Sequence, residues 1–346
     1  MLIAFLFILV LIPIAIYLYV QSGPQLPPET DTLIKEVLSE KLPKLISGRT
    51  GKAMNGHVSL YYEVMEGEDH SKGNILLING HSSTLLYWQP YFYQPLLDAG
   101  YRLIRFDNRG IGMSDWIQNW SKETAFTLED MAKDAMAVLD ACGIEKAHVL
   151  GMSMGGMIAQ RIAISHSERV LSLCSIMSSG FINDPELTTV PAKFKADLTR
   201  LTLRYMLKPT EINRMKMQLG VMKVLEGDGD YALDPKAVLQ ATLYNIRRRD
   251  GMNKKLRDQH TWAITYSGSR YEELASIKVP SLVIHGTADP LVEFEHGKKY
   301  AAMIPQAETL FIVGMGHDIP QLHIQEIHKA IFRNLDAIKN NRNKVA

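Results

Sequence analysis

One stretch restricts the fold of this chain more than any other: Gly151-Met152-Ser153-Met154-Gly155-Gly156, which fits G-x-S-x-G. Just upstream, Ala147-His148-Val149-Leu150 is a short, mostly apolar run of the kind that forms a fully buried parallel strand. Downstream, Met157 to Ile164 carries strong helix formers with apolar side chains at helical spacing. A sharp strand-to-helix turn strains its central residue, and glycines on both sides remove side chains that would strike neighbouring backbone. Such a turn lifts the Ser153 hydroxyl clear of a sheet and sets backbone N–H groups at a helix start, where partial positive charge favours a developing anion. The bare motif also occurs by chance, as a Gly-rich turn of purely structural use. The strand before it and the helix after it favour a catalytic serine.

Residues Met1 to Val20 contain no charged side chain and one helix breaker, Pro13. A run of about 20 such residues suits a transmembrane helix, so residues 1–20 are expected to form an N-terminal membrane anchor. A cleaved secretory signal, which would make the protein secreted or periplasmic, wants a basic start and a small-x-small cleavage site. The first basic residue is Lys35, and Ser22-Gly23 offers weak cleavage chemistry. A buried or dimerising hydrophobic helix is the third option. The mixed charges of Glu29, Asp31, Lys35 and Glu36 leave the orientation unspecified. Residues 21–50 hold a Pro-rich spacer and then an apolar stripe, Leu33, Ile34, Val37, Leu38, Leu42 and Leu45, suited to packing on the body or lying along lipid.

The balance of 38 basic and 37 acidic residues speaks against a nucleic-acid or anionic-surface binder. Cys142 and Cys174 fall in apparent core elements with no metal-ligand spacing and read as buried small hydrophobes.

From His57 the period approaches two, with Val58, Leu60 and Tyr62 alternating with polar neighbours, which predicts an antiparallel edge or hairpin strand. Buried strands are predicted at Asn74 to Asn79, Tyr101 to Asp107, Val170 to Ile176 and Val279 to Gly286, and another strand at Thr309 to Val313. Helices are predicted from about Tyr87 to Ala99, from Thr127 to Cys142, and from Glu295 to Ile304. Residues 180–271 lack a clear strand and carry helical stretches rich in Met, among them Met206, Met215, Met217 and Met222. Those side chains suit either an adaptable pocket or packing between helices. Arg247-Arg248-Arg249 reads as a solvated face.

The strand before Gly80-His81-Ser82-Ser83, the loop Asp107-Asn108-Arg109-Gly110-Ile111-Gly112-Met113-Ser114, and the order Ser153, Asp289, His317 together resemble the α/β-hydrolase superfamily. The resemblance implies an α/β-hydrolase fold: a mostly parallel central sheet flanked by helices, with a core of residues 51–179 and 272–346 and a helical cap at 180–271. It implies a catalytic triad of Ser153, Asp289 and His317, with Asp318 as the alternative acid. It implies an oxyanion hole from the backbone N–H groups of His81 and Met154. Gly80, Ser82 and Met152 line the expected substrate pocket. Asn79 stands where the family usually has His, which a backbone donor tolerates. The His81 ring either touches substrate or walls the pocket, and Asp107 and Arg109 are expected to brace their loop.

Within the superfamily, the body is most similar to small carboxylesterases and methylesterases. The expected activity is carboxylic ester hydrolysis through an acyl-enzyme, with a small-molecule ester as partner and neither metal nor organic cofactor. A lipase for longer acyl chains and a non-catalytic ligand-binding protein of the same fold are the alternatives.

Overall fold

The computed structural model describes residues 2–228, 234–249 and 254–345, with side chains for 11–228, 234–249 and 258–338. The chain begins with α1 (Leu2–Gln21) and α2 (Thr30–Ser39), then enters the sheet through β1 (Arg49–Asn55), β2 (Val58–Met65) and β3 (Gly73–Ile78). Next come α3 (Pro90–Asp98), β4 (Tyr101–Phe106), α4 (Leu128–Ala141), β5 (Ala147–Met152), α5 (Met154–Ser165) and β6 (Val170–Ile176). Four helices follow without a strand: α6 (Ala192–Tyr205), α7 (Glu211–Leu225), α8 (Pro235–Arg248) and α9 (Lys254–Tyr266). The short α10 (Tyr271–Leu274) leads to β7 (Ser281–Gly286), α11 (Phe294–Ala301), β8 (Glu308–Ile312) and α12 (Ile324–Val345).

Among the described residues the strands form one eight-stranded sheet in the order β1-β2-β4-β3-β5-β6-β7-β8. The hairpin β1–β2 and the pair β2–β4 are antiparallel, and all other pairs are parallel. Apolar runs in β3 and β5 to β7 are explained by burial on both faces. Alternate residues serve opposite layers: Leu76 and Ile78 pack with α4 and α5, among Met131, Leu139 and Ile158. Ile75 and Leu77 pack with α3 and α12, among Phe92, Ile327 and Ile331. Burial of each such side chain contributes roughly 1.5–3 kcal/mol.

Local signals in the sequence also hold. Thr127 and Asp130 form a reciprocal capping box at the start of α4, and Gly143 ends it in the left-handed region at φ 67°. β2 is not the edge: β1 covers it, its Met54 exposed and its Ala53 buried. Cys174 is buried, Cys142 is half-buried, and both are free thiols.

The anchor expected at residues 1–20 is corrected. Among the described residues no helix is long and apolar enough to cross a membrane, and the side chains of residues 1–10 lie outside those described. The last turns of α1 are held by cations of α6. The Arg200 guanidinium lies 4.5 Å over the Tyr19 ring, and Arg204 donates to the carbonyls of Val20 and of Pro24, the latter at 2.8 Å. Membrane partnership and a membrane-anchored location therefore lose their basis. The stripe on α2 faces protein: Ile34 and Val37 are buried among Met215, Leu219, Leu239 and Leu243 of α7 and α8. For Met215 this is packing between helices.

Candidate active site

β3 and β5 are neighbours in space but not in sequence, because the chain goes from β3 out to β4 and returns across β3 to β5. Open α/β sheets bind ligands at the carboxyl ends of strands where the order reverses in this way. The Gly80 loop leaves β3 there, and Ser153 leaves β5 beside it; a Cβ on Gly80 would stand 3.2 Å from the Ser153 Cβ.

Ser153 has φ 52° and ψ −123°, a conformation that L side chains rarely adopt. Its surroundings over-determine it. The Ser153 N–H donates to the Ile176 carbonyl at 2.8 Å, and the Ser178 hydroxyl donates to the Ser153 carbonyl at 2.8 Å. A Cβ on Gly151 would lie 2.1 Å from the Gly155 carbonyl oxygen, and one on Gly155 would lie 2.1 Å from that of Ile78. Both motif glycines are thus needed by close backbone approach. Met154 opens α5, so its N–H is among the first four of the helix, which have no intrahelical acceptor.

The ring of His317 stands between a hydroxyl and a carboxylate. Its Nε2 is 3.0 Å from Ser153 Oγ, and its Nδ1 is 2.7 Å from Asp289 Oδ2. The other Asp289 oxygen accepts the Leu291 and Val292 N–H groups, each at 2.9 Å. Burial alone would raise the Asp289 carboxyl, but the facing His317 and bonds from His285 and His317 outweigh it and hold the group ionised, far below the usual carboxylate range. An ionised carboxylate on Nδ1 fixes that nitrogen as the donor and leaves Nε2 to accept the Ser153 proton. The loops carrying the acid and the imidazole are stitched together: Ala288 N–H donates to the Met315 carbonyl at 3.1 Å, and Gly314 N–H to the Thr287 hydroxyl at 2.9 Å.

Asp318 takes no part in this relay. It is buried, its Oδ1 has no hydrogen-bond partner, and burial followed by the charge of Glu226 pushes it up to about 6. Met152 is buried, and Ser82 adopts φ 54°. The His81 ring turns to α9, with Nε2 2.9 Å from the Thr261 hydroxyl. Thr261 borders a shallow depression of about 430 Å³ lined also by Trp262, Thr265 and Tyr266. Asn79 donates to the Phe106 carbonyl at 2.6 Å, a bracing role between strands. Asp107 accepts from the Leu85 and Met113 N–H groups at 2.9 Å, and Arg109 is paired with Asp134 at 2.5 Å. Among the described residues no group of three or more His, Cys, Asp or Glu side chains is arranged to hold a metal ion.

Four contributions from the α6–α9 segment were not expected from the sequence. Arg249 is buried and paired with Asp107; Arg247 and Arg248 are exposed, so the solvated face is only two-thirds of that triplet. The Leu225 carbonyl accepts the His317 N–H at 2.7 Å. Gly227 lies so close to the His317 loop that a Cβ there would be 2.0 Å from the Gly314 carbonyl oxygen. His260, a lone histidine on a helix, carried no sequence signal, yet both its ring nitrogens reach the loops that follow β3 and β4, at Ser82 and Arg109. Only Gly227 and Gly316, facing one another, hinted at a close backbone contact.

Comparison with known proteins places this geometry in context. Rhodomycin D methylesterase of Streptomyces peucetius is 26% identical over 279 residues, 77% of this chain and 91% of that protein. 3-Oxoadipate enol-lactonase 1 of Acinetobacter baylyi is 28% identical over 268 residues, 75% of this chain and 85% of that protein. A solved structure described as a membrane phospholipase A, a novel bacterial virulence factor, matches with a TM-score of 0.63 and 20% identity over 97% of this chain and 99% of its own; that likeness is one of fold. The family described as alpha/beta hydrolase fold matches residues 73–322. With the strand order, the strained serine after β5, and the acid and histidine after β7 and β8, the chain belongs to the α/β-hydrolase fold family.

Proposed function

We propose that this protein is a carboxylic ester hydrolase that works through a serine acyl-enzyme. The observation that carries the proposal is the unbroken relay from Ser153 through His317 to an ionised Asp289. In it, His317 Nε2 takes the Ser153 proton as Oγ attacks the ester carbonyl, and Asp289 stabilises the imidazolium. The backbone N–H groups of His81 and Met154 receive the oxyanion, each worth about 3–4 kcal/mol of barrier by analogy with measured oxyanion holes. His317 then protonates the departing alcohol, activates a water, and the acid is released from Ser153. Ester and water balance the reaction.

Two similar proteins are named for cleaving a methyl ester and an enol-lactone, which supports an ester substrate here. We assign residues 180–271 as a cap: Leu225 of α7, Arg249 at the end of α8 and His260 of α9 reach the His317, Asp107 and Gly80 loops, which border the proposed substrate site. Acyl preference would then be set by this cap. Ser153→Ala is expected to abolish hydrolysis of p-nitrophenyl esters of graded chain length while the thermal midpoint stays near that of the parent protein. A Ser153→Ala protein with near-parental turnover would overturn the mechanism.

A further inference from the structure

His260 lies on α9, outside the relay, and is completely buried. Its Nε2 is 2.8 Å from the Arg109 carbonyl oxygen. That oxygen can only accept, so Nε2 carries the proton. Nδ1 is left as an acceptor, and it takes the Ser82 N–H at 3.1 Å. The ring stands edge-on to Phe126, at 6.2 Å between centroids, and edge-on to His81, at 5.8 Å. Burial pushes His260 down to about 4, so the neutral tautomer that these two bonds require persists at neutral pH.

The loop it holds is the one assigned to the oxyanion. Ser82, with φ 54°, is in the left-handed region without being glycine. The turn closes through Ser83 N–H to the Gly80 carbonyl, at 3.3 Å, and Gly80 abuts Ser153. On α9 the next residue, Thr261, meets the His81 ring. Two successive residues of one helix thus grip two successive residues of the loop. The His81 N–H belongs to the peptide just before the one that His260 holds, so a turn of the His81–Ser82 unit would swing both.

We propose that His260 is a positioning residue for ester hydrolysis: by accepting the Ser82 N–H from α9, it fixes the loop whose His81 N–H receives the oxyanion. The inference rests on the serine-hydrolase function proposed above. Its effect belongs to the transition state, because the oxyanion forms only there.

The two ring nitrogens can be tested separately. In His260→Asn the side-chain oxygen stands near the place of Nδ1 and can still accept from Ser82. In His260→Gln the amide nitrogen stands near the place of Nε2 and keeps only the bond to Arg109. The Gln variant is expected to lose about 10² in kcat, the scale of one oxyanion donor, with KM changed less than about twofold. The Asn variant recovers most of that loss. A trifluoromethyl ketone, whose adduct with Ser153 carries the oxyanion, should bind the Gln variant more weakly by the same factor by which kcat/KM falls. A purely structural role would lower the thermal midpoint of both variants alike and leave kcat per titrated active site unchanged, which would overturn the inference. Ser153→Ala in the same assay separates the levels. If it is inactive while His260→Gln keeps parental kcat, the inference on His260 alone is wrong; if it is active, the underlying mechanism falls and this one with it.

Discussion

Asp289, which meets the His317 ring from a distant loop, and Asp318, its neighbour in sequence, are two carboxylates that differ in kind. Asp289 accepts two backbone N–H groups and faces His317 Nδ1, whereas the Asp318 Oδ1 is buried without a partner. Asp289→Asn should keep the geometry but hold His317 in the wrong tautomer, lowering kcat by about 10⁴ as in the serine proteases. Asp318→Asn should leave kcat within a few-fold. It should also stabilise the fold, with a pH dependence that follows from the shift to about 6. A raised acid holds its proton more tightly when folded. Below about pH 4 both states are protonated and nothing is lost; between about 4 and 6 the unfolded chain ionises first, and stability falls as pH rises. Above pH 6 the full penalty stands, on the order of 3 kcal/mol. The Asn variant should therefore melt higher than the parent at pH 8 and equally at pH 4. A lower midpoint at pH 8 would mean that the ionised carboxylate is stabilised by the fold after all.

Among the elements, those legible in the sequence are the ones whose signal is local. β6 spans Val170–Ile176 as the apolar run dictates, and α4 begins at its capping box. β1 was missed because Arg49–Asn55 has little apolar content and becomes a strand only by pairing with β2. The helix after the His317 loop, α12, was not foreseen as a separate element either, although it covers one face of the sheet. The places of Ser153, Asp289 and His317 at strand ends were legible in the chain order, and the structure brings the three side chains within hydrogen-bond distance. The grip of α7 and α9 on the Gly80 and His317 loops was not legible, since it joins residues far apart in the chain through single atoms. Gly227 tests that grip. Its contact is backbone against backbone, and a Cβ would also stand 2.5 Å from the Gly316 nitrogen, so the His317 loop must give way. Displacement of a catalytic group by about 1 Å can cost about 10² in rate. Gly227→Ala is expected to lower kcat by about that factor with the body still folded by circular dichroism. Parental kcat in that variant would show that the loop is held without the α7 segment.

On the scale of the whole molecule, the N-terminal region is part of the α6–α9 layer. Ile34 and Val37 are 2% exposed and share a cluster with Met215, Leu219, Leu239 and Leu243. Asp31 is paired with Lys216 at 2.6 Å, and Glu40 with Lys236 at 2.9 Å. These ion pairs lie in water and add little; the apolar contact carries the weight, at roughly 1.5–3 kcal/mol for each aliphatic side chain fully buried. Removing residues 1–40 takes away Ile34 and Val37 and uncovers their four partners, a loss on the order of 5 kcal/mol or more. The layer so loosened includes the Leu225 carbonyl that holds the His317 N–H. This truncation should therefore lower the thermal midpoint, open residues 192–266 to limited proteolysis, and reduce kcat on short esters. Removing residues 1–16 spares the Arg200 contact with Tyr19 and the Arg204 bonds to Val20 and Pro24, and should leave midpoint and kcat unchanged. Melting curves, proteolytic fragments and kcat of the two truncations decide the matter. If the longer deletion behaves like the shorter, α2 contributes nothing to the active-site layer, and α7 must be held in place by α6 and α8 alone.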